Sequence, residues 1–402
     1  GGASLQENST GSYNTSVGHC SLWANTASNN TAIGYQSSLS NTSGSCNTSV
    51  GAFSLGDSTT GSSNTAVGYA SSYRNTTGCQ NSALGFESLY SNTTGINNVA
   101  IGYRSLRPST TASRNTAVGY EAGRSISTGS CNTFVGECAG RETTTASGNV
   151  VIGRCALASS QVGAGNSIVG FESLKLNTCS FNSALGYRAL SCQTTGQRNT
   201  AIGYESGYFM TTGCQNTFVG MSAGQNTTTG VNHTLIGVDV CAGNGANAIG
   251  LGHNIDSSSD FFYFGKIGNV VYNNFTANAN WTRASDQRWK KEITTNTDNG
   301  LDFINDLRTV TYKWKAPSEL DSSLSEYNPN ETKHSYENRM YGLIAQEVKQ
   351  ALDDNNITDF TGWTIDKTSA DDKQGISYEM FVVPLIKAVQ ELTERVRQLE
   401  SN

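Results

Sequence analysis

The sequence predicts a mainly β chain, a parallel β-roll or β-solenoid of 17-residue repeats, followed by a small α+β domain that ends in a coiled-coil helix. Three observations carry this. A short motif recurs with a strict period through the first 240 residues, the composition changes abruptly beyond it, and the last helix-like stretch has apolar residues at heptad spacing. The expected segments are a repetitive shaft over 1–245, a β neck and connector over 246–284, and a separate domain over 285–402.

The repeat unit is Asn-Thr-small-aliphatic-Gly-aromatic, as in Asn64-Thr65-Ala66-Val67-Gly68-Tyr69. Its glycine recurs fourteen times from Gly18 to Gly237, with eleven spacings of 17 and two of 16. Asn stands four residues before the glycine in every copy but one, where His233 replaces it, and Val, Ile or Leu directly precedes every glycine. Such a unit can bury an apolar face only against its neighbours, which is the logic of a solenoid. Seventeen residues are too few for a helix pair, and β-branched residues punctuated by Gly, Asn, Ser and Thr favour short strands and turns. Strand alternation is expected to turn the aliphatic residue inward. The small residue ahead of it would let neighbouring backbones approach, and stacked Asn side chains would hydrogen-bond up the ladder. At roughly 4.8 Å per stacked strand, fourteen coils give a rod of about 65–70 Å.

Composition limits what such a rod does. The chain has 402 residues, 43 Gly, 4 Pro, 14% charged residues and a formal net charge of −6. Residues 1–256 carry 10 acidic and 10 basic side chains, whereas residues 257–402 carry 22 and 16. A slightly acidic chain with no basic stripe is not an electrostatic nucleic-acid binder. No run of 18 apolar residues exists to span a membrane, and no signal peptide opens the chain. It starts in mid-pattern at Gly1-Gly2, as a piece of something longer would. The shaft's acids are scattered singly, so no pair flanks a bond as glycosidase chemistry requires. The four histidines (His19, His233, His253, His334) are far apart and, with no Cys-x-x-Cys pair, point to no metal or other cofactor. Cys138 and Cys155 occupy the same place in consecutive units and read as packed free thiols.

The Asn-Thr-Ala-Val-Gly units resemble the head repeats of trimeric autotransporter adhesins and, more closely, the shafts of phage and large-virus tail fibres. That resemblance implies parallel β-rolls packed as trimers.

Beyond Gly252 the sequence changes character. Asp260 to Tyr272 reads as a β-hairpin neck, and Ala277 to Ala284 as a connector. Leu301 to Leu307 reads as a short helix, Val310 to Trp314 as a strand, Tyr341 to Val348 as the entry to a helix, and Ser377 to Leu399 as a long final helix. With the motifs Ser285-Asp286-Gln287-Arg288-Trp289-Lys290-Lys291 and Tyr341-Gly-Leu-Ile-Ala-Gln-Glu-Val348 in that order, this region resembles the C-terminal intramolecular chaperone of endosialidase-type tail spikes. Trp289 and Glu292 depart from the residues usual in that family, outside its expected chemistry.

The resemblance implies self-cleavage between Ala284 and Ser285, with Ser285 as nucleophile and Lys290 as its base. A serine hydroxyl attacks poorly until a base takes its proton. Lysine serves as that base only where desolvation or a nearby cation keeps it neutral. Arg288, Lys291 and burial on trimer formation would supply both influences. Asp286, Gln346 and Glu347 are supporting candidates, the last two for coupling the trimer state to cleavage.

In the final helix, Val382, Leu385, Val389, Leu392, Val396 and Leu399 form a heptad seam. Val alternating with Leu ordinarily favours two strands. The resemblance implies three, and the seam covers under three heptads while the shaft also sets oligomer state. The expectation is therefore a homotrimeric virion fibre or tail spike, assembled in the host cytoplasm, binding a host receptor or glycan. Its chaperone aligns three chains, then cuts itself off in a single turnover, and the shaft itself has no enzymatic activity. The alternative is a trimeric adhesin, or a glycan-depolymerising spike whose activity sits in a missing N-terminal part.

Overall fold

The computed structural model describes residues 1–159, 161, 163–274, 282, 283, 287, 290–297, 299–324, 326–333, 338–366 and 372–401. The chain divides into two compact units, Gly1–Trp289 and Lys290–Asn402.

The first unit is a parallel β-solenoid. Thirteen three-residue strands, from Thr15–Val17 to Thr217–Val219, pair parallel with equivalent positions aligned. Thr48, Ser49 and Val50 face Thr65, Ala66 and Val67, for example. The glycine after each strand packs on the glycine of the next coil. A Cβ on Gly119 would stand 2.5 Å from the Gly136 carbonyl oxygen, at a φ of +139°. The asparagine column is a buried ladder. The Asn64 backbone N–H donates to Asn47 Oδ1 at 2.9 Å, and Asn64 Nδ2 donates to the Gly78 carbonyl at 2.9 Å. His233 continues the ladder, donating its N–H to Asn216 Oδ1 and accepting from the Ala248 N–H at Nδ1.

The inward residue of each strand is the middle one, not the aliphatic one. Ala32, Ala66, Ala117 and Val151 are fully buried, whereas Ile33, Leu84, Ile101 and Ile152 are 37–48% exposed. A strand of three residues between tight corners has one inward position. The interior beside it is already filled by leucines such as Leu55, Leu89 and Leu106 from the following corner, so that position takes a small side chain. The expected alternation holds, but its phase is opposite.

Parallel pairing continues past residue 245. β14 (Thr234–Ala242), β15 (Ile249–Ser257) and β16 (Phe261–Lys266) stack parallel, aligning Gly237, Gly252 and Gly265. The glycine column thus persists while the coils shorten, which hides it from a search at fixed period. β16 also forms the expected hairpin with β17 (Asn269–Asn274), where the Tyr263 and Tyr272 rings stack at 5.2 Å. Most of the expected connector, Ala277 to Ala284, lies outside the described residues; Thr282 and Arg283 pair with β17.

The second unit holds three helices, α1 (Leu301–Asn305), α2 (Ala345–Asp354) and α3 (Val382–Glu400), among its described residues. Two small antiparallel ladders accompany them: Val310–Tyr312 with Met340–Gly342, and Trp363–Asp366 with Lys373–Ile376. The core is small. Phe303, Val348, Ala351, Leu352, Ile357 and Phe381 are buried, with Phe360 against Phe381 at 5.1 Å between ring centres.

Candidate functional site

Three long-range contacts tie the second unit together. Glu391, on α3, accepts the backbone N–H of Leu301 at 2.7 Å through Oε2. That N–H opens α1, where no carbonyl of the helix can receive it, so a side chain ninety residues away caps it. The Leu301 N–H and then Lys387 hold the Glu391 carboxyl below its usual range. Glu347, in the first turn of α2, receives Arg308 through both carboxylate oxygens, and this hydrogen-bonded guanidinium holds Glu347 below the usual carboxylate range. Third, the Leu343 N–H donates to the Tyr378 hydroxyl at 2.9 Å. A Cβ on Gly342 would lie 2.3 Å from that hydroxyl, so the glycine lets the ring reach the backbone.

The supporting candidates are therefore placed as follows. Glu347 sits in an ion pair that joins α2 to the residues after α1, and Gln346 beside it is exposed. Lys290 is exposed at the start of the second unit. Ala284, Ser285, Asp286 and Arg288 lie outside the described residues.

Two apolar surfaces stand open in the second unit. α3 turns Pro384 and Ala388 inward, on the side where Glu391 and Arg395 reach Leu301 and Asp302 of α1. Its heptad seam is left exposed, with Val389 at 61% and Leu399 at 77%. Next to the start of that seam lies a groove of about 740 Å³, lined by Ile304, Leu307, Val310, Tyr341, Tyr378 and Leu385 among others. The seam was legible from its spacing. The groove was not, because its walls come from three separated segments, 304–311, 341–343 and 378–385.

The shaft has its own open apolar surface. The aliphatic residue before each glycine faces out, and so does the residue after it, usually aromatic, as in Tyr69, Tyr120 and Tyr204 at 48–50% exposure. The two columns flank the glycines from coil to coil. A monomer rarely carries an apolar surface of such extent.

No helix among the described residues is long and apolar enough to cross a membrane. No curated protein and no solved structure matches the chain. Residues 285–357 match the family model described as chaperone of endosialidase, which implies an autoproteolytic chaperone domain. The match spans the Ser285 motif, α1, Arg308 and most of the region that Glu347 braces. Together with the parallel solenoid, this match fits a tail-fibre-like protein in which residues 285–357 are similar to the chaperone of endosialidase.

Proposed function

We propose that this protein is a homotrimeric viral fibre or tail spike whose C-terminal domain aligns three chains and then releases itself by cutting Ala284–Ser285. The observation that carries the trimer is the exposed apolar surface, continuous in the aliphatic column before the glycines, which runs along the shaft and recurs on the α3 seam. Both features repeat along the long direction of their element, as a parallel bundle of identical chains needs. Near-identical coils can pair one unit out of register at little cost, so a trimerising domain at one end is needed to set the register before the shaft closes.

Cleavage follows from the dyad. Lys290 Nζ takes the proton of the Ser285 hydroxyl, whose oxygen attacks the Ala284 carbonyl carbon. The Ala284–Ser285 C–N bond breaks as Lys290 returns the proton to the departing nitrogen, leaving an ester between Ala284 and the Ser285 oxygen. Water then hydrolyses the ester. Lys290 is exposed in the single chain. Burial by neighbouring copies would favour the neutral amine that a general base requires, which makes cutting conditional on assembly. The released fibre is a virion component suited to host attachment.

Light scattering of the purified protein tests the assembly: a mass of three chains is expected, and a monomer at micromolar concentration overturns it. Truncation at Ala284 before folding should give aggregated shaft. A truncated shaft that trimerises well alone removes the chaperone role.

A further inference from the structure

The exposed column after the glycines is not apolar throughout. Tyr69, Phe86, Tyr103 and Tyr120 stack ring on ring at 5.2–5.4 Å, and Phe171, Tyr187 and Tyr204 do so at 5.1–5.3 Å. Between these two runs, at the same position of two consecutive coils, stand Glu137 and Arg154. Arg154 Nε donates to Glu137 Oε2 at 3.0 Å, and the guanidinium lies 5.6 Å from the Phe171 ring centre. The side chains remain 49% and 56% exposed, so the pair keeps unused donor and acceptor positions facing out. They are the only carboxylate and guanidinium in either outward column.

We infer that the aliphatic and aromatic columns are the contact surface for a second copy of this chain, and that Glu137 and Arg154 lock its register. The inference rests on the homotrimer proposed above and names the face that forms it. With parallel copies in register, a layer of Glu137 carboxylates lies one coil from a layer of Arg154 guanidiniums. Each guanidinium has five N–H donors and can serve its own carboxylate and a neighbour's. When one copy slips by one coil, one Glu137 meets the other copy's Arg154, but the second Glu137 faces a Tyr120 ring and the second Arg154 faces Phe171, so one charge of each copy is left against an aromatic ring. Slips of two or more coils set both charges of each copy against uncharged residues of the outward columns, beside which Arg104 and Arg188 are already paired with Glu87 and Glu172. Aliphatic and aromatic layers accept any slip, whereas a single polar layer in an apolar interface discriminates, as one polar residue does in a coiled-coil seam.

The test replaces Tyr204 with a benzophenone-bearing residue in the full chain, cross-links by light and maps the joined peptides. In wild type, cross-links should join Tyr204's position to the partner's coil around 202–204. Glu137→Phe with Arg154→Tyr should still form trimers but raise links to the coils around 187 and 221 at least about tenfold, an equilibrium ratio equivalent to about 1.4 kcal/mol. The charge swap Glu137→Arg with Arg154→Glu restores complementary layers and should behave as wild type. A doubly aromatic variant that stays wholly in register overturns the lock. A trimer without cross-links from this position overturns the assigned face and leaves the trimer standing, whereas a monomer in light scattering removes the trimer itself.

Discussion

The ring of Phe134 occupies the space that a side chain on Gly140 would need: a Cβ there would lie 2.2 Å from it. Phe134 fills the inward strand position that holds alanine in seven of the fourteen coils, and Gly140 stands at the corner that supplies a core leucine in seven. Phe218 and Gly224 repeat the exchange, with 2.6 Å between the same kinds of atoms. Each ring also reaches the corner glycine of the preceding coil, Gly123 and Gly207, so the volume is shared between neighbouring coils, as close-packed interiors require. Gly140→Leu should therefore destabilise the shaft by about 1–3 kcal/mol through overpacking. Adding Phe134→Ala should recover much of that, with a coupling of about 0.5–3 kcal/mol in a double-mutant cycle. Additive effects in chemical denaturation would show that the two sites do not share one space.

Gly119→Val tests the glycine column. The new Cβ would meet the Gly136 carbonyl at 2.5 Å, from a backbone conformation that L side chains rarely adopt. The same residue at Thr111, an exposed turn position, should change stability by no more than about 0.5 kcal/mol. Equal loss at both sites would argue that coils do not approach at the glycines.

The Glu391–Leu301 contact predicts a pH dependence. The folded carboxyl is held below its unfolded value, so its contribution is present above the unfolded pKa and lost as pH falls through the folded one. Glu391→Gln should remove that dependence, leaving a second unit whose melting responds less to acid between neutral pH and the lower carboxylate range. Identical pH profiles for the two proteins would show that the bond does not form in solution.

Much of this architecture was readable from the sequence. Fourteen aligned glycines and thirteen asparagines specify the solenoid and its hydrogen-bonded ladder, because each makes a contact repeated from coil to coil. The phase of the strand was not readable. Inside and outside both accept aliphatic residues when the outside is itself an apolar surface, so hydrophobicity alone does not say which way Val67 points. The last two coils escaped because Gly252 and Gly265 follow at shorter intervals. In the second unit the motif around Tyr341 was visible. Its reason, a tyrosine hydroxyl thirty-five residues on that needs Gly342 bare, becomes visible only in three dimensions. The Glu391 cap is another contact between distant residues that no local pattern signals.

Mass spectrometry of the purified protein, beside its Ser285→Ala and Lys290→Arg variants, tests the central claim most directly. The account predicts a wild-type shaft ending at Ala284 and a released fragment of residues 285–402. Both variants should remain at full length while still forming trimers, since alanine lacks the attacking oxygen and a guanidinium does not give up its proton near neutral pH. A wild-type chain of full mass in assembled trimers, or normal cutting by Lys290→Arg, would contradict the Ser285/Lys290 mechanism.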